Sequence, residues 1–112
     1  MRLKRNQVRD GKIVPTEADI KRQIREYLKL HQIKFWWNLQ GLGCFRGIPD
    51  YEGVYKRQHF YIEVKSPKGT LSEAQGAFKE MVEQEGEPVM VCNSFDRFLE
   101  LWTRFKEVVD MR

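Results

Sequence analysis

Gly47-Ile48-Pro49-Asp50, then a gap of twelve residues, then Glu63-Val64-Lys65 at the end of His59-Phe60-Tyr61-Ile62-Glu63-Val64-Lys65: the reading of this stretch decides the fold. His59 to Lys65 is the clearest strand of the chain, apolar and aromatic between its charges. Residues two apart on a strand share a face, so Glu63 and Lys65 point one way while Ile62 and Val64 point the other. Upstream, Asp50 to Val54 or Tyr55 reads as another strand, and Lys56-Arg57-Gln58 reads as the turn between them. The two strands form an antiparallel hairpin. Pairing centred near Lys56 and Arg57 sets Asp50 and Glu63 side by side.

Two charges on one strand face, with an apolar face behind them, require a reason. Buried without partners they would cost several kcal/mol each. They must face solvent, a partner or a site, and a metal ion plus a phosphate would satisfy both signs together. Paired carboxylates hold hard divalent cations through oxygen, and Mg²⁺ takes one or two of them. A water acidified by such an ion, close to Lys65, would be a nucleophile suited to phosphodiester hydrolysis.

Working outward toward the N-terminus, Gln40 to Gly47 holds three glycines and reads as a mobile loop. Ile33 to Leu39 reads as a first strand. Its adjacent Trp36 and Trp37 must face opposite sides, one into the core and the other free to stack on a base or to bury in a dimer interface. Thr16 reads as the cap of a first helix from about Glu17 to about His31, with Ile20, Ile24, Tyr27 and Leu28 at helical spacing. Residues 1–15 look irregular. Toward the C-terminus, Thr70-Leu71-Ser72-Glu73 has capping-box form, with Thr70 as the cap. A second helix follows to about Glu85, with Leu71, Ala74, Phe78, Met81 and Val82 on one side. Val89 to Cys92 is a fourth strand, apolar throughout and so expected in the sheet interior. Ser94 caps a last helix whose Phe98, Trp102 and Phe105 form one stripe. That stripe is core by default, with part of it free for a dimer contact.

The order is α-β-β-β-α-β-α, which predicts a single α/β domain with a mixed sheet flanked by helices. The chain has 112 residues, 41% of them hydrophobic and 12% aromatic, enough for one packed core beside 32% charged residues. No apolar run has the length of a membrane span, and no apolar segment follows the basic N-terminus as in a secretory signal. Cys44 and Cys92 are far apart and lack zinc-site spacing, so two free thiols in a reducing cytoplasm are expected, with Cys92 in the core. The formal charge is +4, and residues 1–15 carry all of that excess: Arg2, Lys4, Arg5, Arg9 and Lys12 against Asp10. Such an arm either follows nucleic-acid phosphates or is a solvated tail. Arg46, with Asn38 and Gln40, is expected along the approach to Asp50, touching phosphates or satisfying loop backbone groups. His31 and His59 are expected in surface or satisfied core positions.

The motif set resembles the PD-(D/E)xK nuclease superfamily and, more closely, the virus-type replication–repair nuclease (VRR-NUC) family. The similarity spans roughly residues 16–92, with Glu17, Gly47-Ile48-Pro49-Asp50, Glu63-Val64-Lys65 and Gln75 filling the family's four motif positions in order. It implies a restriction-endonuclease-like α-β-β-β-α-β core over residues 16–112, with an added C-terminal helix and a separate basic arm at 1–15. It also implies a Mg²⁺- or Mn²⁺-dependent endonuclease. Asp50, Glu63 and the Val64 carbonyl would bind the ion, with Glu17 reaching it through water. Lys65 would orient water or steady the phosphate, and Gln75 would support Lys65 or the water. Glu17 has a rival explanation as a helix-dipole acid. The resemblance further implies a homodimer acting on branched DNA, in a bacterial or phage-infected cell. A non-catalytic nucleic-acid-binding module with a degenerate site is the alternative. A sequence-reading restriction nuclease is disfavoured by the small size, which leaves little chain to read bases.

Overall fold

The computed structural model describes residues 8, 9 and 12–112, with side chains from Val14 onward. Nine elements follow in order: β1 (Val8–Arg9), β2 (Lys12–Ile13), α1 (Glu17–Leu30), β3 (Lys34–Trp37), β4 (Tyr51–Tyr55), β5 (Gln58–Val64), α2 (Glu73–Gln84), β6 (Val89–Cys92) and α3 (Phe95–Asp110). From α1 onward this is the expected α-β-β-β-α-β-α order. The main sheet runs β3-β4-β5-β6, antiparallel except for the parallel β5–β6 pair that α2 connects.

The alternation of β5 divides the molecule. Phe60, Ile62 and Val64 lie against α1 and α3, packed with Ile20, Ile24, Leu28, Phe98 and Trp102. Tyr61 faces the other way and packs with Phe78 and Val82 of α2 and with Val89. The sheet is therefore covered by two helices on one face and one on the other. The aromatic stripe of α3 is core: Phe98, Trp102 and Phe105 are all buried within the chain. Cys92 is buried too, and burial pushes its thiol up to about 12.

Thr16 caps α1 as expected, in a capping box completed by Asp19: the Asp19 N–H donates to Thr16 Oγ1, and the Thr16 N–H to Asp19 Oδ2. The β4–β5 connection is a two-residue turn with Lys56 and Arg57 both left-handed (φ +46° and +71°). That is the turn geometry matched to the twist of a hairpin. Its register pairs Tyr51 with Ile62, so Asp50 comes level with Glu63 one step beyond the ladder.

Several expectations change. The arm is not irregular throughout, because Val8 pairs with Ile13 and Arg9 with Lys12. Asp10-Gly11 between them is a strong two-residue hairpin signal in the sequence. Arg2, Lys4 and Arg5 lie outside the described residues. Ser72, not Thr70, caps α2, and Gln75 rather than Glu73 completes the box. Leu71 therefore precedes the helix, and of the predicted stripe only Phe78 and Val82 are buried. Strand β6 is an edge strand; its apolar character comes from burial between α2 and α3, not from two strand neighbours. Neither Trp36 nor Trp37 enters the core, where Phe35 is the β3 residue that packs.

Candidate active site

Asp50 is held by the backbone around it. The Asn38 N–H donates to the Asp50 carbonyl at 2.9 Å, extending the β3–β4 pairing by one step. Asn38 Nδ2 donates to the Pro49 carbonyl at 3.0 Å, and Gln40 Nε2 to the Ile48 carbonyl at 3.2 Å. Both amides thus satisfy loop carbonyls, the second of the two roles expected for them. Gly47 has φ +83°, and a Cβ there would overlap the Ala74 carbonyl, lying 2.6 Å from its carbon. Only glycine lets this loop seat on the first turn of α2. The carboxylate of Asp50 then accepts from the Val64 N–H through Oδ2 at 2.8 Å, which ties it to the end of β5.

Glu63 is 3% exposed. Its Oε1 accepts from Gln75 Nε2 at 2.8 Å and lies 3.5 Å from Lys65 Nζ. Lys65 Nζ donates to Gln75 Oε1 at 2.6 Å, and that same oxygen accepts from the Ser72 N–H at 2.9 Å. Gln75 thereby bridges Glu63 and Lys65 while capping its own helix. The seat of Gln75 at the third helical position aims it at the strand. The second carboxylate oxygen, Glu63 Oε2, is buried without a hydrogen-bond partner. Burial, and then the neighbouring Asp50, push the Glu63 carboxyl up to about 7 against the opposing pull of Lys65.

These groups fit a hard divalent cation. The donors are oxygens, two carboxylates adjoin, and one of them buries an oxygen that no protein group satisfies. Among the described residues no group of three or more His, Cys, Asp or Glu side chains has metal-holding geometry, so Glu17 does not form a three-acid cluster with the pair. It is joined to Asp50 by a residue that sequence reasoning missed. Lys21 Nζ lies 3.3 Å from Asp50 Oδ1 and 3.4 Å from Glu17 Oε2. Burial alone would lower the Lys21 pKa; Asp50 and Glu17 outweigh it and hold the ammonium above its ordinary value. The available signal was the four-residue step from Glu17 to Lys21, one helical turn.

The structure therefore brings Asp50, Glu63, the Val64 backbone, Lys65 and Gln75 into one bonded network, with Glu17 at one remove. Arg46 departs from expectation. Asn38 and Gln40 line a groove with Asp50, whereas Arg46 lines a different one, with Phe45, Glu73, Ala77 and Met81. The Gly-rich loop turns it toward the α2 side. His59 bonds Glu52 through Nε2, keeps Nδ1 without a hydrogen bond, and lies outside this network.

No curated protein matches the chain. The VRR-NUC domain model matches residues 11–96, a span that contains all four motif positions and every residue of the network above. With the sheet order, the Asp50–Glu63 register and this match in agreement, the chain belongs to the VRR-NUC domain family, a nuclease-type family.

Proposed function

We propose that the chain is a Mg²⁺- or Mn²⁺-dependent endonuclease that hydrolyses phosphodiester bonds in structured or branched DNA, working as a homodimer in the manner of junction resolvases. The observation that carries this reading is Glu63 Oε2, buried and unpartnered beside Asp50 and next to a lysine held by Gln75. Asp50 and Glu63 would hold the ion, with the Val64 carbonyl alongside. When bound, the ion supplies Lewis-acid polarisation of water and phosphate. Lys65 offers its Nζ protons to the anionic oxygens of the phosphate, and Gln75 fixes where that ammonium points. Glu17 acts through Lys21, keeping its charge beside Asp50. A two-fold dimer would present two such sites to a roughly symmetric junction. The basic arm and Arg46 would add contacts to the DNA backbone.

The test is cleavage of labelled junctions, flaps, forks and plain duplexes with Mg²⁺ and with Mn²⁺. Asp50→Ala, Glu63→Ala and Lys65→Ala should each abolish cleavage without loss of folding. Full activity in any of them, or in excess chelator, sinks the reading. Light scattering gives the molar mass that the dimer requires. Removing residues 1–15 should flatten the salt dependence of DNA binding.

A further inference from the structure

The Asp50 side of the network opens into a groove of about 440 Å³ between α1 and the paired ends of β3 and β4. Lys21 and Arg25 come from one face of α1, four residues apart, and Trp37 and Tyr51 come from the sheet. Trp37 is the register partner of Tyr51, and the next pair along is Asn38 with Asp50. An indole that is 61% exposed therefore stands one pairing step from a carboxylate of the cleavage site. Arg25 Nη1 donates to the Tyr51 hydroxyl at 2.9 Å, which fixes the guanidinium and uses one of its five donors.

We propose that this groove binds one unpaired nucleotide adjoining the phosphodiester that is cut, with its base stacked on Trp37 and its phosphate held by Arg25 and Lys21. The location of the cut rests on the nuclease reading; the binding does not. A base can stack on a side chain only if its face is free, so it must be single-stranded or at a duplex end. Basic groups alone would take any phosphate. The added indole selects DNA that is splayed beside the cut, such as a flap, a fork or an opened junction.

Binding is measured with the full chain in chelator, on a flap carrying 2-aminopurine as its unpaired nucleotide and on a blunt duplex of equal length. The wild-type chain should prefer the flap and quench the probe. Trp37→Ala should weaken flap binding about tenfold and remove the quench, while duplex affinity stays within about twofold. Trp37→Phe should keep most of the preference. Arg25→Gln should weaken both DNAs and lower the slope of log affinity against log salt by about one. The inference is overturned by equal loss on flap and duplex, by an unchanged quench, or by a wild-type chain that does not discriminate. Scanning the probe along the flap in the wild-type chain needs no variant: a quench confined to the nucleotide at the junction supports the groove, and a uniform quench overturns it. A chain that binds in this way yet never cuts sinks the nuclease reading alone. A chain that cuts with no Trp37-dependent preference sinks this inference alone.

Discussion

One face of β5 carries two polar clusters, one half-buried and one buried, and they are built from different pairings. At its start, His59 sits between two acids, with Nε2 2.9 Å from Glu52 Oε1 and Nδ1 3.1 Å from Glu87 Oε2. The Glu87 contact is at ion-pair distance without hydrogen-bond alignment. Trp36 and Tyr61 close over the imidazole. At the end of the strand, Glu63 has a partner for one oxygen and none for the other. An unsatisfied buried polar atom costs about 1–3 kcal/mol. The first cluster sets an imidazole between two carboxylates of the chain itself, with one hydrogen bond made and His59 Nδ1 left without one. The second sets two carboxyl groups together, an arrangement that the cation of the proposed function would satisfy. Each cluster leaves one buried atom without a hydrogen bond, His59 Nδ1 and Glu63 Oε2, so what surrounds that atom, and not the missing bond, sets the candidate site apart: the imidazole lies between two carboxylates, whereas the Glu63 carboxyl adjoins a second acid, Asp50.

The largest effect should follow from filling the gap with a neutral group. Glu63→Gln keeps the shape and the Gln75 contact but removes the charge. Cleavage should fall about a thousandfold or more, with no drop in thermal stability, as read by single-turnover kinetics and a melting curve. Heat from Mn²⁺ in calorimetry should vanish in the same variant. A Glu63→Gln chain that cuts normally would make the two clusters equivalent.

Gly47→Ala pushes a methyl into the Ala74 carbonyl from a left-handed backbone, so the loop must lift from α2. The expected cost is about 3 kcal/mol by chemical denaturation, and cleavage should fall with it. His59→Ala acts on the half-buried cluster only. Glu52 and Glu87 would then face each other without the imidazole, costing about 2 kcal/mol and leaving the cleavage rate per folded molecule unchanged. A lower rate would tie the two ends of β5 together.

The remaining effect is a pH slope. Glu63 holds its proton to about 7 in the folded chain, against an ordinary value of 4.5. Between those values the native state binds more protons than the unfolded state. Stability of the metal-free protein should therefore fall as pH rises through that window and beyond, until the folded group is fully ionised. Glu63→Gln should flatten that slope in denaturant melts taken from pH 4 to pH 8.

Much of this was legible from local chemistry. Thr16 and its acids mark α1, the period-two run marks β5, and a hairpin centred on Lys56 and Arg57 makes Asp50 meet Glu63. The misreadings share a cause. Thr70 and Ser72 both offer a cap, and Ser72 prevails because Gln75 at its third helical position also bonds Glu63 and Lys65. Val89–Cys92 is apolar because helices cover it, which composition alone cannot separate from a place between strands. Lys21, rather than Arg46, meets Asp50 for the same reason: the path of a loop and the seat of a helix choose which charge comes close.

Residue order alone pointed to the elements from α1 onward, the reach of the hairpin and the three side chains proposed for cleavage, because turns and periodicity act over a few residues. Packing settled the rest: Gln75 laid across Glu63 and Lys65, Lys21 placed between Glu17 and Asp50, Trp37 left in the open beside the site, and one carboxylate oxygen deprived of a partner. Those contacts span elements distant along the chain, and only the filled core sets the distances between them.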